Sequence, residues 1–134
     1  MIEEIKIESK LSNLKRAEEF IESVASKMQI SREAYGKIIV SVMEAVNNAI
    51  IHGNREHTEK LVTITFKKEN DAIVVLVADE GSGFIPESIP DPTTPENIES
   101  IRGRGVFLMS RLSDKIEFNE SGNSVKMSFN SVKA

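Results

Sequence analysis

The sequence predicts an α+β fold, a two-layer α/β sandwich with helices on one face of a mixed, mostly antiparallel sheet. Two long segments carry apolar residues at helical spacing, and several shorter segments alternate apolar and polar residues as strands do. These segments do not follow the regular βαβ order that favours a parallel sheet. The chain has 134 residues, which is typical of one domain, so we expect a single domain over residues 1–134.

The first half of the chain contains one predicted strand and two predicted helices. Ile5 and Ile7 alternate with charged neighbours and predict a short strand. Apolar residues at helical spacing predict a first helix over residues 11–28. A second apolar stripe predicts a helix over residues 31–52, which Ser31 can cap.

The second half contains two strands, a long loop, a short helix and a hairpin. Residues 62–66 alternate, whereas residues 72–78 are continuously apolar and predict a central strand covered on both faces. Residues 80–102 hold all four prolines, and a loop this long is typically a lid, a binding loop or disordered. We expect a short helix to begin near Gly105, followed by two strands joined by a turn at residues 120–123.

Composition excludes several functional classes. The chain has no cysteine, which excludes disulfides and thiolate chemistry and suits a reducing compartment. Its net charge is −4 with no long basic tract, so we expect no direct contact with nucleic acid. Residues 1–6 are acidic where a signal peptide is basic, and no apolar run is long enough to span a bilayer. We therefore expect a cytoplasmic protein with no membrane partner.

The second predicted helix carries a polar pair that its apolar stripe does not explain. Glu44 and Asn48 lie one turn apart, so their carboxylate and carboxamide project together, roughly opposite the apolar stripe. Asn is a poor helix former, yet Asn47 and Asn48 occur in succession. A solvated polar face is the alternative interpretation of these residues alone.

Two glycine motifs follow. Residues 79–84 read DEGSGF after the most apolar strand, and glycines there would let backbone approach a ligand held by the carboxylate. Residues 102–105 read RGRG just before a predicted helix, where free amides and an arginine can bind phosphate. A tight acidic turn and a plain helix-start loop are the respective alternatives.

In order and spacing, these motifs resemble the Bergerat-fold (GHKL) ATPases, the superfamily of gyrase, histidine kinases and mismatch-repair ATPases. Residues 44–54 resemble the N box, residues 79–84 the first glycine box and residues 102–109 the second. The resemblance covers nearly the whole chain. The NAIIHG stretch, residues 48–53, is especially similar to the bacterial anti-sigma factor serine kinases.

The resemblance implies a role for each motif residue. Glu44 would be the general base, and Asn48 would ligate the Mg²⁺ of Mg-ATP. Asp79 would accept a hydrogen bond from the adenine amino group. The remaining residues implied in nucleotide binding are Gly81, Gly83, Gly103, Arg104, Gly105 and Ser124, below an ATP lid at about residues 84–102.

One position departs from the family. A threonine usually follows the last turn and helps to hold the adenine-binding aspartate; here Asn123 and Ser124 are both candidates. His52 is interpreted as a structural residue near the helix end.

The family performs several reactions, and the length of this chain favours one of them. A free-standing domain is similar to the kinases that bind a sigma factor and phosphorylate a small STAS-type antagonist protein, so we expect a protein serine/threonine kinase. The alternative is an ATP-dependent binding module with little or no kinase activity, and a non-nucleotide interaction domain ranks third. A homodimer through the edge of the first strand and pairing of that strand within its own sheet are both open.

Overall fold

The computed structural model describes residues 1–81 and 101–134, and the side chains from residue 105 onward in the second range. Its α-helices are α1 (Leu14–Lys27), α2 (Arg32–Asn48) and α3 (Ile101–Leu112). Its strands are β1 (Ile2–Glu8), β2 (Leu61–Glu69), β3 (Ala72–Ala78), β4 (Lys115–Phe118) and β5 (Ser124–Phe129). A 3₁₀ turn at Leu11–Asn13 precedes α1, and a π-helical turn at Ala49–Gly53 continues α2.

The five strands form one sheet in the order β1-β2-β3-β5-β4, and all neighbours are antiparallel. Alternate residues of each strand face one buried layer, which the apolar stripes of the helices complete. The predicted α+β sandwich with helices on one face of a mostly antiparallel sheet is therefore confirmed.

The central position of β3 was predicted correctly, but its coverage was not. Val75 and Val77 are buried in the core, whereas Leu76 between them is 38% exposed. The uninterrupted apolar run suggested a strand covered on both faces, but the helices of the described residues cover only one.

The start of α2 follows the sequence, but its end does not. Ser31 caps the helix, since its hydroxyl accepts a hydrogen bond from Ala34 N at 3.1 Å. The α-helix stops at Asn48 instead of residue 52, and a π-helical turn replaces its last turn. That turn closes with a bond from Asn54 N to Ala49 O at 2.8 Å, which spans five residues.

Helix α3 begins at Ile101, four residues before the predicted start near Gly105. Glycine is a poor helix former, which is why the sequence favoured a later start. Gly103 and Gly105 consequently lie within the helix, and Gly103 and Arg104 belong to its first four residues, whose amides have no partner inside a helix.

The predicted lid at about residues 84–102 lies almost wholly outside the described residues; its last two residues open α3. Within the described ranges, no helix combines the length and the apolar character needed to cross a membrane.

Candidate functional site

The predicted pair on α2 meets a glycine of α3. Glu44 and Asn48 are both half-buried, and Gly105 is buried opposite them. A Cβ added to Gly105 would lie 3.0 Å from Glu44 Oε2 and 3.2 Å from Asn48 Nδ2. The side chains of Glu44 and Asn48 therefore lie side by side where α2 packs on α3, and the absence of a side chain at Gly105 leaves room for them.

The second predicted carboxylate lies at the end of β3, in the segment of residues 79–81, here called the DEG loop. Asp79 Oδ1 accepts a hydrogen bond from Gly81 N at 2.8 Å. A Cβ on Gly53 would lie 2.3 Å from Asp79 Oδ2, and one on Gly81 would lie 2.1 Å from Gly53 O. Only glycines at these two positions permit this packing, which sets the carboxylate against the end of the π-helical turn.

The turn before β5 holds the DEG loop from a third side. Asp79 N donates to Asn123 O at 2.8 Å, and Asn123 Nδ2 donates to Gly81 O at 3.4 Å. Ser124 also lines this region, but its hydrogen bonds to Asn119 come from its backbone: its amide donates to Asn119 Oδ1 at 3.1 Å, and its carbonyl accepts from Asn119 N at 3.2 Å. The contacts thus place the Asn123 side chain, of the two candidates, against the DEG loop.

The side chains of Asn48, Asp79, Asn123 and Ser124 line one cleft that is partly open to solvent. Asn48 lies on one wall, and Asp79, Asn123 and Ser124 are polar groups at the end near the DEG loop. The apolar walls come from the helices and the sheet: Ala45, Ala49, Val77, Val106, Met109, Phe118 and Val125. Such a cleft can hold a flat apolar ring system with a hydrogen-bonding edge.

The structure brings most of the predicted site residues together. Asn48, Asp79 and Ser124 line the cleft, and Gly81 contacts Asp79. Glu44 lies beside Asn48, opposite Gly105. Gly103 and Arg104 are in the first turn of α3, and Gly83 lies outside the described residues. Their roles toward a ligand stay predictions.

Sequence reasoning missed two contributions to this site. Gly53 lies in the segment that resembles the N box, residues 44–54, but was given no role in the site, yet it packs on Asp79. Asn54 ends the same segment and was likewise given no role, yet it is completely buried and bonded to the DEG loop at Glu80 N. A Gly-Asn pair at a helix end is by itself a weak signal, because it also occurs where no site exists. His52 lines the cleft and is exposed, which the sequence did not predict.

A cofactor or metal would meet suitable groups here. The oxygen-bearing side chains of Glu44 and Asn48 are the type that Mg²⁺ prefers, and Gly105 leaves the space beside them unfilled. In the part of the chain that the structure describes, no group of three or more histidine or acidic side chains is arranged to hold a metal ion. A metal held at this place would therefore take further ligand atoms from water or from a bound molecule.

The profile of the histidine kinase-like ATPase domain matches residues 7–129. A serine-protein kinase RsbW of Oceanobacillus iheyensis is 31% identical over 122 residues, which cover 87% of this chain and 77% of that protein. The serine-protein kinase RsbW of Bacillus subtilis is 33% identical, over 80% of this chain and 71% of that protein.

Two further matches are more partial. The anti-sigma F factor of Lysinibacillus sphaericus is 34% identical over 56% of this chain and 53% of its own. A crystal structure of the RsbU and RsbW domains of a Mycobacterium tuberculosis protein superposes on all of this chain with a TM-score of 0.73 at 11% identity. This chain spans 33% of that solved chain. Because the identity is 11%, the likeness concerns the fold alone. The match over residues 7–129 shows that the chain belongs to the histidine kinase-like ATPase domain family.

Proposed function

We propose that this chain is an ATP-dependent protein serine/threonine kinase that acts as an anti-sigma factor. The observation that carries the proposal is the meeting of Glu44, Asn48 and Gly105 beside a cleft that Asn48 and Asp79 both line. The names of the relatives, serine-protein kinase RsbW and anti-sigma F factor, support it.

In this proposal the adenine ring enters between the apolar walls and meets the DEG loop. Asp79 accepts a hydrogen bond from the adenine amino group through the carboxylate that Gly53 and Gly81 hold in place. Asn123 or Ser124 completes this end, and Gly83, which lies outside the described residues, would keep the base pocket open to backbone approach.

The phosphates extend toward α3. Asn48 would hold Mg²⁺, which supplies charge neutralisation and orientation of the phosphates. Gly103, Arg104 and Gly105 would face the phosphates, because the first amides of a helix and a guanidinium both favour anions. The room beside Gly105 supports this assignment.

Glu44 would take the proton from the attacking serine or threonine hydroxyl. It lies one helical turn from Asn48, so base and metal ligand act on the same phosphoryl group. Its half-buried position on α2 restricts its rotamers and directs the carboxylate toward Gly105.

The partners follow from the same relatives. We infer that the chain binds a sigma factor and phosphorylates a STAS-type antagonist protein in the cytoplasm, without contacting nucleic acid itself. A homodimer is the further proposal: β1 pairs with β2 and ends the sheet, and its other edge carries no strand among the described residues. Sedimentation at rising protein concentration tests it, and a constant monomer mass would contradict it.

The kinase activity is tested by transfer of label from ATP to purified antagonist. The Glu44→Gln variant should bind Mg-ATP with little change and lose at least about a hundredfold in transfer rate, since it removes only the proton acceptor. Glu33→Gln is the matched control, because Glu33 lies on the same helix with its side chain 86% exposed. That variant should transfer label at the rate of the unmodified chain.

The alternative function makes a different prediction in the same assay. A binding module would take up Mg-ATP and hold its partner, yet transfer no label with or without Glu44. That result would contradict the kinase and leave ATP-dependent binding as the function. Absence of any nucleotide binding in calorimetry would overturn both.

A further inference from the structure

One buried amide in this fold links three segments that are remote in sequence. Asn54 is completely buried and directly follows the π-helical turn. Its Nδ2 donates to Ser9 Oγ at 2.7 Å and to Leu61 O at 3.1 Å. Its Oδ1 accepts from Glu80 N at 2.8 Å. The carboxamide therefore uses three of its four hydrogen-bonding positions, each on a different segment.

The other buried polar side chains of the described residues have more local bonds. Ser41 and Ser113 each donate to the carbonyl four residues earlier, on Lys37 and Met109. Ser9 belongs to the Asn54 network and also donates to Lys60 O at 2.7 Å. Of these four buried polar side chains, only that of Asn54 is hydrogen-bonded to the DEG loop.

Asn54 is itself held firmly. Its amide donates to Ala49 O at 2.8 Å, and its carbonyl accepts from His57 N at 3.0 Å. The π-helical turn inserts one residue relative to an α-helical turn and so changes the direction in which Asn54 projects. Hydrogen bonds from both its side chain and its backbone therefore fix the position of Asn54.

Asn54 contacts the DEG loop at its middle residue, Glu80. Glu80 receives the Asn54 bond at its amide, and its carboxylate accepts a hydrogen bond from Leu61 N. Both bonds tie Glu80 to the region where β2 begins. The peptide that Asn54 holds is the one that joins Asp79 to Glu80, so its orientation sets where the Asp79 carboxylate projects.

We propose that Asn54 is a positioning residue that holds the DEG loop in the geometry needed to recognise the adenine amino group. This inference rests on the proposed function, in which Asp79 accepts a hydrogen bond from that group. Removing the Asn54 side chain leaves the Glu80 amide without its buried partner and allows the loop to rotate. Recognition of the amino group then weakens, while contacts with the phosphates stay.

The test compares ATP with ITP, which has a carbonyl in place of the 6-amino group. The unmodified protein should bind ATP more tightly than ITP. Asn54→Ala should weaken ATP binding by on the order of tenfold and leave ITP binding unchanged, so the preference for ATP disappears. Calorimetry with each nucleotide and Mg²⁺ gives both affinities.

Two further variants separate positioning from simple stability. Ser9→Ala removes a bond at the far end of the same network, so it should lower the melting temperature but keep the preference for ATP. Asn54→Asp keeps the oxygen that accepts from Glu80 N but sets its other oxygen against Leu61 O, so it should keep the preference at a lowered melting temperature. If Asn54→Ala does not fold, Asn54→Ser replaces it, since its shorter hydroxyl keeps a polar group in the site but does not reach Glu80.

A readout without nucleotide completes the design. Amide hydrogen exchange at Glu80 and Gly81 should accelerate in Asn54→Ala and not in Ser9→Ala. Unchanged exchange at Glu80, or an unchanged preference for ATP in a folded Asn54 variant, would overturn the positioning role alone. An unmodified protein that binds neither nucleotide would overturn the proposed function along with it.

Discussion

At the scale of single residues, two helical glycines have opposite surroundings. A Cβ on Gly105 would meet Glu44 Oε2 and Asn48 Nδ2, whereas a Cβ on Gly36 in α2 would meet nothing within 4 Å. Gly105→Ala should therefore displace the two polar side chains and lower the transfer rate by roughly tenfold or more, with the fold retained. Rates of label transfer and the melting temperature measure the two effects.

Gly36→Ala is the matched control for that substitution. It makes the same chemical change inside a helix in open space, so it should stabilise the chain by about 0.5–1 kcal/mol through helix propensity. Its transfer rate should not change. Equal rates for the two alanine variants would show that the space beside Glu44 and Asn48 does not matter.

Also at this scale, Asn123 and Ser124 can be separated by substitution. Asn123→Ala removes the side-chain bond to Gly81 O and should weaken ATP binding by roughly fivefold to tenfold. Ser124→Ala should have less than about a twofold effect, because the bond at Ser124 comes from its backbone amide. Calorimetry measures both affinities. If Ser124→Ala weakened ATP binding more than Asn123→Ala did, Ser124 and not Asn123 would be the residue that supports the adenine end of the site.

At the scale of elements, the two faces of β3 differ in what they tolerate. Val75 is completely buried, while Leu76 is 38% exposed on the open face of the sheet. Val75→Thr should destabilise the chain by about 1–3 kcal/mol, because it buries a hydroxyl among apolar side chains. Leu76→Thr should change stability by less than about 1 kcal/mol.

Denaturant unfolding measures both variants. Equal and large losses would mean that a partner covers the open face of the sheet in solution. Equal and small losses would mean that β3 is not part of the core.

The elements that the sequence predicted well are those whose own residues determine them. A continuous apolar run located β3, and the helical period of apolar residues located both long helices. Ser31 marked the start of α2 through a bond within four residues. The start of α3 and the end of α2 were wrong, because both depend on remote contacts. Gly105 is tolerated within a helix since it packs on α2, and the π-helical turn leads to the buried Asn54.

The residues of the candidate site also divide into those that the sequence predicted and those that it missed. Glu44, Asn48 and Asp79 were predicted from side-chain chemistry and motif spacing, and the structure brings two of them to one cleft and the third beside it. Gly53 and Asn54 were missed as site residues, because their contacts join segments far apart in sequence. Periodicity and local propensity contain no information about such contacts.

At the scale of the whole molecule, the cleft is assembled from nearly the full length of the chain. Helix α2, the end of β3, helix α3 and the turn before β5 each contribute a wall. A ligand in the cleft therefore binds only the assembled fold, and binding must stabilise the whole domain.

Nucleotide binding should consequently raise the melting temperature of the entire chain. Mg-ATP at 100 times its dissociation constant stabilises by about 2.7 kcal/mol, which for 134 residues corresponds to a rise on the order of 10 °C. Asp79→Ala should lose most of this rise at the same concentration, and Gly36→Ala should keep it, because Gly36 has open space around it. Scanning calorimetry with and without Mg-ATP measures the shift. A rise that Asp79→Ala retains in full would place the nucleotide elsewhere on the molecule.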